Sequence, residues 1–255
     1  MADLDPSPPG VANCREFRTT HWSVVLRARD LAHPGAEDAL EDLCRGYWYP
    51  LYAFIRRSGY GVHDAQDLVQ GFLARFLERR HLTAVAPERG RFRSYLLAVL
   101  KHFLSDQRKW QSASKRGGGH EVLSIDEAAA ESRLGIEPVD CESPDLVFER
   151  HWGLSVLTRV QERLRARYGE RGRLDLFNHL QPCLGGTGQP RSMSDLAAIL
   201  GMGEGAVKVA VHRLRKEFGL ALREEIACTI DNPAEIDAEI RRLIQVTSRS
   251  GNVEG

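Results

Sequence analysis

The stretch SDLAAILGMGEGAVKVAVHRLRKEF, Ser194 to Phe218, reads as two short helices joined at a sharp angle. Ser194 is placed to cap the first helix, in which Leu196, Ala197 and Leu200 recur at helical spacing, and Gly201 supplies the permissive backbone of a tight exit. From Glu204 the apolar residues Val207, Val211, Leu214 and Phe218 fall on one stripe. Lys208, His212 and Arg215 fall opposite them, flanked by Arg213 and Lys216. Two such helices form a helix-turn-helix, whose second helix fits a DNA major groove and offers donors to phosphates and base edges. The same pattern also suits a plain helical hairpin with a solvated cationic face.

Around this segment the charge is strongly segregated. The formal total is zero, 35 Lys and Arg against 35 Asp and Glu. Between Arg89 and Arg116, however, Asp106 is the single acid among eight basic residues. From Gly117 to Glu149 the balance reverses, with Arg133 alone among nine acids. The helix from Glu204 is positive again, and the chain beyond Arg223 is acidic. Fields decay over about 8–10 Å at physiological salt, so each block acts locally and the total says little about partners.

The helical period extends through most of the chain. Ala36 to Arg57 carries Leu40, Leu43, Tyr47, Leu51, Phe54 and Ile55 at spacings of three and four, and Pro50 predicts a kink or break. Asp64 to Arg79 places Leu68, Phe72, Leu73 and Phe76 on one face, and Arg91 to Trp110 carries Tyr95, Leu96, Val99, Leu100, Phe103 and Leu104. Further helices follow from Phe148, with Trp152, Val156, Val160 and Leu164 in one stripe, and from Leu174 to Leu180. A last amphipathic segment, Pro233 to Ile244, needs a cover for Ile236, Ile240, Leu243 and Ile244, most simply the second helical unit. The expected fold is therefore all-α. It comprises a tail at 1–18, a bundle at 19–110, a flexible acidic linker at 111–147, a helix-turn-helix unit at 148–228 and a helical extension at 229–255.

Other classes are disfavoured by what the chain lacks. No apolar run approaches the ~18 residues that cross a membrane, and the acidic, proline-rich first residues do not make a secretory signal, so a cytoplasmic protein is expected. Five scattered cysteines, 14, 44, 141, 183 and 228, fit neither a disulfide framework nor a zinc site. Nucleophile elbow, HExxH, P-loop and GxGxxG patterns are all missing, so no catalysis, metal or cofactor is expected.

The segment DAQDLVQGFLARF, Asp64 to Phe76, is followed by GRFRSYLLAVLKHFLSDQRK, Gly90 to Lys109, and then by the helix-turn-helix. In that order the chain resembles a bacterial RNA polymerase sigma factor of the extracytoplasmic-function class, from about Thr19 to beyond Arg223. The resemblance implies a first bundle, region two, and a second, region four, joined by an extended linker. It implies core RNA polymerase as partner, through its β′ clamp and β flap, together with promoter DNA and an anti-sigma factor or other regulator as a further candidate. By resemblance Asp64, Asp67, Leu68, Gln70 and Phe72 grip the β′ clamp, although the family often has acids where this chain has Gln66 and Gly71.

Region two of the family melts and reads the minus-ten element. Melted DNA offers phosphates to a basic groove and bases to aromatic groups. Arg91, Arg93, Lys101, Arg108 and Lys109 suit the backbone, and Phe92, Tyr95, Phe103 and Trp110 are candidate stacking groups beside a core role; by resemblance His102 stands where many members of the family have asparagine near the flipped base, and is a candidate base or backbone contact. The helix from Glu204 matches the minus-thirty-five reader, with Lys208, His212, Arg213, Arg215 and Lys216 as contacts. Small residues at Ala206, Val209 and Ala210 would let recognition lean on groove shape. The acidic linker reads either as a nucleic-acid mimic in the polymerase cleft or as a solvated spacer. A conventional helix-turn-helix repressor or activator, and an adaptor that binds polymerase alone, are the rival readings.

Overall fold

A computed structural model describes residues 22–30, 33–78, 90–113, 143–185 and 191–248. The described residues form α-helices and short 3-10 turns, with no strand among them. In chain order the helices are α1 (Trp22–Arg29), α2 (Ala36–Arg57), α3 (Val62–Glu78), α4 (Phe92–Ala113), α5 (Pro144–Glu170), α6 (Leu174–Leu180), α7 (Met193–Leu200), α8 (Glu204–Ala227) and α9 (Ile236–Ser248). The all-α class is as expected. The expected tail, the acidic stretch at 114–142 and the glycine-rich loop at 186–190 lie outside the described residues.

Two helices organise the rest. In α2 the residues from Tyr47 to Ile55 are buried on every side except at Tyr49, because α1, α3 and α5 all pack on it. Pro50 lies within this run and the helix continues through it, so of the kink or break expected there the break does not occur. An internal proline costs ~3 kcal/mol through its missing N–H, and packing on all sides of Tyr47, Leu51, Tyr52 and Phe54 is large enough to offset that. The second organiser, α5, starts four residues earlier than its apolar stripe implied. The Ser143 hydroxyl accepts from Leu146 N–H at 3.4 Å, and Pro144 fills the first turn, where no donor is needed.

The two expected units meet along α2 and α5, and one buried core continues from Trp22, Tyr47 and Phe72 through Trp152 and Val160 to Leu214 and Leu243. Helix α1, which the sequence pattern did not mark, contributes Trp22, Val24, Val25 and Ala28 to this core. Its first residue also joins the halves directly, because Trp22 N–H donates to the Cys228 carbonyl at 2.9 Å, just past α8. The C-terminal helix α9 packs on α5 and α8, the cover its apolar face required. It passes α5 at Gly153, where a Cβ would stand 3.0 Å from the Thr247 methyl group and 3.5 Å from Leu243. A side chain at this position would have to push the α9 side chains back by a few tenths of an ångström, so glycine suits the close approach of α9 to α5.

The segment expected to form a helix-turn-helix holds α7 and α8, which pack on one another. Helix α7 ends on Gly201 in the left-handed region, φ 62°, and Met202 N–H closes on the Ala197 carbonyl at 3.0 Å. Its start differs from expectation. Ser192, not Ser194, is the cap and accepts from Asp195 N–H at 3.1 Å, while Ser194 lies inside the first turn with its hydroxyl 2.8 Å from that of Ser192. Ser192→Ala is expected to cost ~0.5–2 kcal/mol in urea unfolding, and Ser194→Ala clearly less.

Candidate nucleic-acid interface

Helix α8 buries Val207, Val211 and Leu214 against the core and leaves Lys208, His212, Arg213, Arg215 and Lys216 exposed. The apolar stripe thus fixes which way the cations point. Arg215 is the exception in role, since its Nε and Nη2 both donate to the Cys183 carbonyl, at 3.1 and 3.0 Å. That fork ties α8 to the 3-10 turn Gln181–Leu184 ahead of the helix-turn-helix. Two exposed apolar side chains, Ile199 on α7 and Val209 on α8, add surface of the kind that meets thymine methyl groups.

The second candidate surface is α4. Lys101, His102, Arg108 and Lys109 are exposed on it, and Trp110 presents 66% of its surface. Arg108 is steered by its own half of the chain. Its Nε donates to the Tyr60 hydroxyl at 2.9 Å, and the guanidinium lies 5.3 Å from the Tyr60 ring centre. His102 stands at the rim of a small open pocket between α3 and α4, lined by Phe72, Arg75, Phe76, Val99, Phe103 and Asp106. Arg75, which the sequence reading passed over, lies 5.8 Å from the Phe103 ring centre and 4.0 Å from Asp106. Its signal was available as the cation one turn beyond Gly71. Phe92 and Phe103 are core residues, Phe92 packing edge-on against Tyr47 at 5.5 Å between ring centres.

Arg93 corrects the sequence reading. It is 2% exposed and carries no surface for DNA. Its Nε donates to both Glu149 carboxylate oxygens at 3.3 Å, its Nη2 donates to Glu239, and its guanidinium stacks 3.9 Å from the centre of the Trp152 ring. Glu239 is also met by Arg91 at 2.8 Å, and Glu149 by Arg242 at 3.4 Å. The charges alternate in sign through this cluster, which is how buried ions recover their hydration energy. The surroundings are dry: burial pushes the nearby Tyr47 hydroxyl above its ordinary pKa, although Arg93 and Arg159 pull it down. Spacing along α4 could not reveal this, because the carboxylates arrive from 56 and 146 residues away.

The polymerase-facing candidates on α3 divide in the same way. Asp64 and Asp67 are exposed and Gln70 is half-buried. Leu68 and Phe72 instead belong to the core, Phe72 lying 5.7 Å from Phe76 and 5.6 Å from Phe103 between ring centres. Neither apolar side chain is available to a partner surface in this arrangement. Among the described residues no group of His, Cys, Asp and Glu is arranged to hold a metal, and no helix is long and apolar enough to cross a membrane.

Removing one member of the buried cluster strands the others. Arg93→Ala is therefore expected to cost ~3–5 kcal/mol in urea unfolding, whereas Lys208→Ala on the open face of α8 should change stability by less than ~0.5 kcal/mol.

Compared with protein-family models, with curated proteins and with solved structures, the chain has no match in any of the three.

Proposed function

We propose that this chain is a transcription initiation factor of the sigma type, binding core RNA polymerase and directing it to promoters through two DNA-contacting surfaces. The observation that carries this reading is the exposed cationic face of α8, with Lys208, His212, Arg213 and Lys216 on a helix whose opposite stripe is buried and whose partner helix ends on a left-handed glycine. A rigid helix so presented enters a major groove, where phosphate contacts set its register and base edges set its preference. The exposed cations of α4, with Trp110 at the end of the row, suit single-stranded DNA, whose bases stack on aromatic groups.

The resemblance of DAQDLVQGFLARF and its following helix to region two of extracytoplasmic-function sigma factors supplies the polymerase half of the proposal. On this chain the docking face consists of Asp64, Asp67 and Gln70. The chemistry of RNA synthesis belongs to the polymerase, and this chain contributes position. An anti-sigma factor or other regulator is a further candidate partner.

Run-off transcription with purified core polymerase tests the reading, and promoter-specific transcripts that depend on this chain are the expected result. Tight binding of a duplex operator with no transcript at any genomic site would overturn it in favour of a repressor. Lys208→Ala and Arg213→Ala should each weaken duplex promoter binding by ~1–3 kcal/mol where they reach base edges. Unchanged affinity of both variants in a low-salt titration would reject α8 as the reading helix.

A further inference from the structure

Arg108, near the end of α4, is exposed, yet three contacts from the turn between α2 and α3 fix its guanidinium. Its Nε donates to the Tyr60 hydroxyl at 2.9 Å, its Nη2 donates to the Ser58 carbonyl at 3.5 Å, and the guanidinium carbon lies 5.3 Å from the Tyr60 ring centre. The turn is itself built to hold Tyr60. Ser58 ends α2 with its hydroxyl on the Phe54 carbonyl at 2.8 Å, Gly59 takes a left-handed φ of 95°, and Arg56 Nη1 donates to the Tyr60 carbonyl at 2.7 Å. The Tyr60 ring is half-buried and packs against the core.

An exposed arginine that samples its many rotamers loses side-chain entropy on binding, and one already held in a single geometry loses less. We propose that Tyr60 is a positioning residue, which holds the Arg108 guanidinium in the geometry that meets a backbone phosphate of single-stranded DNA. This rests on the reading of α4 as a DNA-contacting surface. The groups that hold Arg108 are a hydroxyl, a carbonyl and a ring face, all neutral, and among the described residues no carboxylate pairs with it. Its charge is therefore left for a phosphate, whereas Lys101 on the same helix already faces Asp145. The contacts engage Nε and Nη2, which leaves the Nη1 donors of the fork for a phosphate oxygen. A mere staple between the turn and α4 would use the same contacts, but it would act on stability and not on affinity.

Fluorescence anisotropy of the full-length chain with a labelled single-stranded oligodeoxynucleotide tests this through a double-mutant cycle of Tyr60→Leu and Arg108→Gln. Each single variant should weaken binding about three- to tenfold, the worth of one typical hydrogen bond. Arg108→Gln should also lower the slope of log affinity against log salt by about 0.7, one phosphate contact to a single strand. The double variant should bind no more weakly than Arg108→Gln alone, and Tyr60→Phe, which keeps the ring beside the guanidinium, should recover part of what Tyr60→Leu loses. A Tyr60→Leu loss that persists undiminished in the Arg108→Gln background, a Tyr60→Phe that recovers nothing, or lowered stability in urea with affinity unchanged overturns the positioning role. Wild-type affinity in Arg108→Gln overturns it too, and leaves the other cations of α4 standing as contacts. No binding by the wild-type chain overturns the reading of α4 and this role together. Where Tyr60→Leu fails to fold, Tyr60→Phe takes its place in the cycle, and a loss that adds fully to that of Arg108→Gln overturns the role.

Discussion

The enclosure of the Arg93 guanidinium is the constraint on which the arrangement of the two halves depends. An arginine at 2% exposure is tolerable only if opposite charges and donors' partners surround it, and here Glu149 from α5, Glu239 from α9 and the face of Trp152 do so together. Each of those groups is in turn located by apolar packing. Val147, Phe148 and Val156 seat α5 against the core, and Leu243 seats α9 beside Gly153. Apolar burial supplies most of the stabilisation, while the buried charges specify which faces meet, since any other register would leave a charge unpaired.

A second buried pair, Arg159 with Glu225 at 3.0 Å, fastens α5 to α8 by the same logic. The long central helix is thus bound ionically to α4 and α9 at its start and to α8 in its middle. Two of these partners, α4 and α8, carry the exposed cations. The consequence is an uneven display of charge. The cations of α8 are exposed, whereas Arg91, just before α4, and Arg93 and Lys101 on it face carboxylates from α5 and α9 or the turn before it. A formal total of zero conceals both facts, because pairing across the fold and exposure at one face are invisible to a sum.

Much of the local architecture was legible. Helix periods marked α2 and α6 at the residues where they are found and α8 from its first residue, although α8 runs on to Ala227, past the stretch read to Phe218, and the glycine after Leu200 marked the turn between α7 and α8. Helix α1 escaped because eight residues carry barely two turns of pattern, and its stability comes from Trp22 and Val25 entering a core built by other helices. The cap of α7 was misplaced by two residues because two serines precede Asp195, and only the backbone decides which hydroxyl reaches a free N–H. Pro50 failed as a breaker because propensity is a weak term beside burial on all sides.

The candidate site divides along the same line. Sequence alone determined which side chains share a face of a helix, since that follows from 3.6 residues per turn, and it therefore identified the basic face of α8 correctly as a face. Tertiary structure alone decided which faces meet water. Arg93, Leu68 and Phe72 passed from candidate contacts to core because α3 and α4 pack on one another and α5 and α9 close over the start of α4. The physical reason is range: a helical repeat is set by neighbours three and four residues away, but burial and charge pairing are set by whichever segment arrives from the far end of the chain.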